Sequence, residues 1–206
     1  MTQLNHKEAL KRLKEGNNRF VQGVQSINSL LTHKQREELA EKGQKPYAII
    51  LGCADSRAPA ETVFDAGLGD LFVVRLAGNV ISPMGLGSIE FAAANFGTPL
   101  CVVLGHTKCG AVAATVEAVS KKLRAPSDHI QDIVLEIEPS VKLAIASGSK
   151  HDRPLVEEAA RLNVVRNMER ILERSKILSD LAEKDLFKVV GGVYNLHSGL
   201  VEFIKE

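Results

Sequence analysis

Three short apolar runs, "YAIILG" (47–52), "LFVVRLAG" (71–78) and "LCVVLG" (100–105), constrain this chain more than any other feature. Each is too short for a buried helix, rich in Val, Ile and Leu, and almost continuously apolar rather than alternating, Arg75 being the exception. That is the pattern of a strand covered on both faces. Between them lie helical stretches, "APAETVFDAG" with Pro59 near its start and "MGLGSIEFAAANFG" (84–97). A further helix is expected from about Cys109 to Leu123. The resulting β-α-β-α-β-α order predicts an α/β fold with a mainly parallel central sheet, flanking helices and right-handed crossovers.

The flanking sequence is helical before this core and mixed after it. Asn5 can cap a helix through Leu10, Leu13 and Phe20, and Thr32 a second over "HKQREELAEK" that Gly43 stops. One domain over 1–206 is expected, with an N-terminal helical arm at 1–43, a core at 44–125 and a C-terminal part at 126–206. In that last part, "SDHIQDIVLEIEPSVKLAIAS" and "RPLVEEAARLNVVRNMERILERS" read as charged amphipathic helices that serve as scaffold. The end, "KVVGGVYNLHSGLVEFIKE", reads as two strands joined near Ser198-Gly199, adding an edge strand or pairing with a neighbouring subunit.

Charge and cysteine count narrow the function classes. Lys plus Arg at 26 against Asp plus Glu at 25 leaves no basic surplus for nucleic acid. No apolar run approaches the ~20 residues of a membrane span. The N-terminus reads as an amphipathic helix rather than a signal peptide. Three cysteines, an odd number, argue against a disulfide framework and for a reducing, cytoplasmic setting.

Chemistry concentrates in "LGCADSRAP" (51–59) and "LGHTKCGAV" (104–112). Ligands collect at the carboxyl ends of strands in open α/β sheets; Cys53 follows the first run directly, His106 follows the third, and Cys109 stands where the next helix begins. If these strands are neighbours, two thiolates and an imidazole converge as a Zn²⁺ donor set with one open position. The helix start at Cys109 favours its thiolate. Asp55 and Arg57, two residues apart on a turn, can pair, so the guanidinium keeps the carboxylate ionised and able to accept a hydrogen bond from water at the open position. Cys101, inside an apolar run, reads as core, and His6, His33, His129, His151 and His197 as solvated surface. "GLGS" (85–88) opens a helix but lacks the third glycine of a phosphate-binding loop.

"CADSR" (53–57) and "HTKC" (106–109) together resemble the zinc signature of the β-class carbonic anhydrases. The similarity runs from "GNNRF" through "GDLFVVRLAGN" and "GSIEFAA" to "VVGGVYNLHSGLVEF". The resemblance implies one zinc per chain on Cys53, His106 and Cys109, the dyad Asp55 and Arg57 as catalytic residues, and reversible hydration of carbon dioxide to bicarbonate. It also implies substrate contacts for Gln44, Phe72, Ala77, Phe91 and Gly110, with Phe91 standing where the family often has tyrosine. In the family the glutamine and the first phenylalanine reach a partner's zinc, which implies a homodimer or a dimer-based tetramer. One group of relatives has a bicarbonate-responsive pocket with a tryptophan three residues before the first zinc cysteine. Here that position is Ile50, and the chain has no tryptophan, so the resemblance implies that Asp55 rests on Arg57 rather than on the metal. Two thiolates offset the zinc charge, so activity is expected to favour alkaline pH. Two rival readings use the same residues: hydrolysis of carbonyl sulfide or carbon disulfide, and a non-catalytic zinc-binding module with Asp55 as the only nearby fourth ligand.

Overall fold

The three apolar runs become adjacent parallel strands. In the computed structural model, which describes residues 4–24, 26, 32–148 and 153–205, β1 (Ala48–Gly52) lies between β2 (Leu71–Arg75) and β3 (Leu100–His106). Every residue of β1 and β3 is buried, as expected of strands covered on both faces. β4 (Lys188–Tyr194) adds in parallel beside β3, and β5 (Val201–Lys205) closes the edge antiparallel, giving the order β2-β1-β3-β4-β5. Only β5 of the C-terminal pair is therefore an edge strand. β3 runs one residue beyond its apolar sequence, because Gly105 and His106 pair with Val193 and Tyr194.

The helices are α1 (His6–Val21), α2 (His33–Lys42), α3 (Ala60–Val63), α4 (Pro83–Phe96), α5 (Gly110–Lys121), α6 (Asp128–Ser147), α7 (Leu155–Arg174) and α8 (Lys176–Glu183). Asn5 and Thr32 cap α1 and α2 through reciprocal boxes with Glu8 and Gln35. The "GLGS" stretch lies inside α4, and the Gly85 amide donates to Ser82 Oγ at 3.0 Å, so it forms no anion loop. α8 was not anticipated from sequence. The buried Ser175 starts it by accepting from the Leu178 amide while donating to Glu90 Oε1 at 2.6 Å.

Strand alternation sorts the core into two layers. Ala48, Ile50, Val102 and Leu104 pack with Ala9 and Leu13 of α1 on one face of the sheet. Ile49, Leu51, Cys101 and Val103 pack with Ile89 of α4, Val164 and Ile171 of α7 and Leu178 of α8 on the other. A third cluster, with Cys53, Cys109, Val112, Ile137 and Ala160, covers the carboxyl ends of β1 and β3.

Long-range polar ties hold α1 in place. His6, expected on the surface, is buried, and its Nε2 lies 3.0 Å from Asp185 Oδ1, a partner too distant in sequence to foresee. His33, His129 and His197 are exposed, and His151 lies outside the described residues. Asn17 donates to the carbonyls of Val63 (3.1 Å) and Gly199 (2.8 Å) and accepts from the Val201 amide (2.9 Å). Asn17→Ala strands three backbone groups at once. It is expected to lower the urea-unfolding free energy by about 3–5 kcal/mol, the low end of three groups at roughly 1–3 kcal/mol each because the Gly199 carbonyl is only part-buried. An unchanged midpoint would contradict that role.

Candidate metal centre

Two turns carry the reactive side chains, and each is fastened to a neighbouring segment. After β1, the Gly52 carbonyl accepts from the Leu76 amide at 3.1 Å, and the Ala54 amide donates to the Leu76 carbonyl at 3.3 Å. Arg75, at the end of β2, donates Nε to the Cys53 carbonyl (3.0 Å) and Nη2 to the Asp55 carbonyl (2.6 Å). After β3, the Thr107 amide donates to the Tyr194 carbonyl, and Thr107 Oγ1 accepts from the Leu196 amide. Sequence reading singled out neither Arg75 nor Thr107; an arginine ending an apolar strand is the only signal either leaves.

These turns bring Cys53, His106 and Cys109 together, all buried, with their ligand atoms within 4.8 Å of one another. The two Sγ atoms are 4.0 Å apart. His106 Nδ1 lies 3.0 Å from the Thr107 carbonyl, a contact that holds the proton on Nδ1 and leaves the Nε2 lone pair facing the sulfurs. That buried Nε2 has no hydrogen-bond partner. At this distance the two thiols can hydrogen-bond, with either sulfur as donor. The hydrogen bond from Cys109 draws the Cys53 thiol down to about 4 against the cost of burial, while Cys53 and burial push Cys109 up. Burial is the largest influence on His106 and opposes its charged form, but Cys53, the Thr107 carbonyl and Asp55 together outweigh it and the net shift is upward. An orphaned nitrogen facing two sulfurs that resist joint ionisation is what a divalent cation would resolve, and the S₂N donor set fits zinc. Cys101 is separate: complete burial pushes its thiol up to about 12.

Asp55 and Arg57 sit at the mouth of this cluster as a closed pair. Asp55 Oδ1 accepts from Arg57 N and Nε, both at 2.9 Å, and Oδ2 accepts from Nη2 at 2.7 Å. These bonds hold the carboxyl well below the usual carboxylate range. Oδ2 also lies 3.9 Å from His106 Nε2, close to the cluster but outside hydrogen-bond range. Arg57 Nη2 reaches the Lys108 carbonyl at 3.2 Å, so one side chain joins both ligand-bearing turns.

The other candidate residues divide into two groups. Ala77 opens the short 3₁₀ turn after β2 and lines a cavity of ≈ 440 Å³ with Leu76, Val80, Pro83 and Leu135. Gly110 is the first residue of α5, beside Cys109, and exposed. Both therefore stand at the metal end of the sheet. Gln44 is exposed and precedes β1, whereas Cys53 follows it, so a whole strand of ~3.3 Å per residue separates them. Phe72 pairs with Ile49 near the start of β2 and packs with Phe91 and Phe96, at centroid distances of 6.4 and 6.0 Å. Phe91 remains 52% exposed. Within one chain, Gln44, Phe72 and Phe91 do not join the cluster.

Comparison with known proteins agrees with this geometry. Residues 48–201 match the carbonic anhydrase family model. "Carbonic anhydrase 2" of Mycobacterium tuberculosis is 42% identical over 200 residues, spanning 97% of this chain and 93% of the relative. The chain belongs to the β-carbonic anhydrase family. The solved β-carbonic anhydrase CafA of Aspergillus fumigatus superposes with a TM-score of 0.71 at 27% identity, covering 96% of this chain and 89% of that one. A tetrameric β-carbonic anhydrase of Sordaria macrospora shares the fold at TM-score 0.69 and 24% identity, over 83% of this chain and 88% of its own. The protein is thus an enzyme of the carbonic anhydrase type, built on the expected α/β fold with a mainly parallel sheet.

Proposed function

We propose that this β-carbonic anhydrase catalyses the reversible hydration of carbon dioxide with one zinc held by Cys53, His106 and Cys109. The observation that carries the reading is the buried S₂N cluster with an arginine-locked carboxylate at its mouth. When bound, zinc supplies the acidity that makes water a nucleophile near neutral pH. Asp55, kept ionised by Arg57, would accept a hydrogen bond from water at the mouth of the cluster and so orient it toward the substrate carbon. Arg57 holds the carboxylate oxygens in register, and through Lys108 it holds the His106–Cys109 turn in the same frame. In this reading Ala77 and Gly110, both at the metal end of the sheet, supply small residues beside an uncharged triatomic substrate.

Gln44, Phe72 and Phe91 complete the pocket of a second copy in this reading, which makes the enzyme a homodimer or a dimer-based tetramer. The exposure of Phe91 (52%) and Met84 (83%) on α4, beside the edge strand β2, supports burial against such a copy. Sedimentation velocity is expected to give at least twice the chain mass, and Phe91→Glu to shift it toward the monomer with loss of activity. A fully active monomer at assay concentration would contradict the shared pocket. The three unpaired cysteines support a reducing, cytoplasmic setting. Among the described residues, no helix is long and apolar enough to cross a membrane.

Stopped-flow assay of carbon dioxide hydration, run beside carbonyl sulfide and carbon disulfide hydrolysis and metal analysis, tests the proposal. Hydration with about one zinc per chain is expected. Preference for either sulfur substrate would reassign the reaction, and zinc without turnover of any of the three would favour a non-catalytic module.

A further inference from the structure

The helix read as scaffold reaches the metal centre. Asn163 and Asn167 stand one turn apart on α7, 0% and 1% exposed. Asn163 Nδ2 donates to the Gly78 carbonyl at 2.8 Å, and Asn167 Nδ2 donates to the Asn79 carbonyl at 3.2 Å. Asn167 Nδ2 also reaches Asn163 Oδ1 at 3.4 Å, so the two amides orient one another. Their target is the turn after β2, where Gly78 and Asn79 both take left-handed backbone angles (φ +70° and +45°). On the other side of the Gly78 Cα, the Gly78 amide donates to Cys53 Sγ at 3.3 Å. A Cβ at Gly78 would come within 2.5 Å of Ile137 Cδ1, so α6 closes the turn from outside. Ala159, Ala160 and Ile137 pack around this turn, where the two amides meet its carbonyls.

We propose that Asn163 and Asn167 are positioning residues for the Cys53 sulfur. They clamp the 77–79 turn by its carbonyls, which fixes the direction of the Gly78 N–H and so sets how strongly that thiolate donates to the metal. The inference rests on the zinc assignment proposed above. A hydrogen bond stabilises charge on the thiolate and weakens it as a donor, whereas a turn freed from α7 relaxes its left-handed residues and swings the amide away.

Cobalt(II)-substituted full-length protein provides the readout, through its sulfur-to-metal charge-transfer band, together with zinc affinity by chelator competition. Asn163→Ala is expected to move the band to lower energy, because the sulfur loses its hydrogen bond, and to weaken zinc binding by about tenfold or more, because the sulfur is no longer held in place or stabilised against protonation. Asn167→Ala should act in the same direction with a smaller shift. Ile171→Ala, two turns further along α7 and fully buried, removes packing without touching the turn and should leave the band in place. An unshifted band with unchanged zinc affinity in Asn163→Ala overturns the inference, and so does an equal shift in Ile171→Ala. If Asn163→Ala does not fold, Asn167→Ala decides by the same criterion. Absence of any thiolate band in the unaltered protein overturns the zinc assignment itself, a distinct failure.

Discussion

Cys109→Ser is expected to lose the metal and the hydration activity together, and Cys53→Ser to do the same. Each removes one of three ligand atoms that lie within 4.8 Å of each other and leaves the rest buried without a full donor set. Complete zinc sites bind with about 10–16 kcal/mol, so losing a third of the donors weakens binding by roughly 3–5 kcal/mol, a hundredfold to several thousandfold. Activity should fall to the level set by residual metal. Cys101→Ser is the matched control, since that thiol sits inside β3 against Leu51 and Ile89, in the core layer that excludes the metal ligands. It is expected to lose some stability from a buried hydroxyl and to keep its zinc. Metal analysis after gel filtration checks all three variants, and full zinc occupancy in Cys53→Ser would sink the ligand assignment.

Arg57→Ala is expected to separate activity from metal content. The arginine is half exposed and its ion pair adds little to folding, so the variant should fold and retain zinc. Asp55 keeps only the backbone amide of residue 57 and is free to turn onto the metal position, since Oδ2 already lies 3.9 Å from His106 Nε2. A hydration rate lower by about 100-fold is expected from a misdirected catalytic carboxylate. Stopped-flow rates and zinc content measured on one preparation test this. An active variant would remove the dyad from the mechanism, and a zinc-free one would recast Arg57 as a brace between the two ligand turns.

Much of this site is legible in the sequence because its residues are local to strand ends. Apolar runs at 47–52 and 100–105 announce β1 and β3, so Cys53 and His106 fall at the same edge once the strands are neighbours. Asn5 and Thr32 carry their cap signals within four residues. What escapes the sequence depends on distant partners. His6 reads as a surface residue because Asp185 comes from the far end of the chain. α8 escapes because Ser175 is needed both to end α7 and to begin the next helix, so its cap lies within one charged helical stretch. Asn163 and Asn167 look like solvated helix positions until the fold shows the 77–79 turn against them. Gln44, Phe72 and Phe91 were drawn to the site by resemblance, and a single chain spreads them along the opposite end and edge of the sheet.

The fastening of Thr107 to Tyr194 and Leu196 acquires another meaning when the chain is considered as it is made. A ribosome delivers Cys53, His106 and Cys109 first, and β4 and β5 follow about 5–20 s later at ~5–20 residues per second. Throughout that interval the nascent chain displays two thiols and an imidazole while the strand that grips the His106–Cys109 turn is still unsynthesised. α7, with the amides that hold the 77–79 turn, also arrives in that gap. A nascent chain arrested after α5 would contain all three donor residues and none of the late-arriving supports, so the frame that holds them is complete only after the last strands have docked.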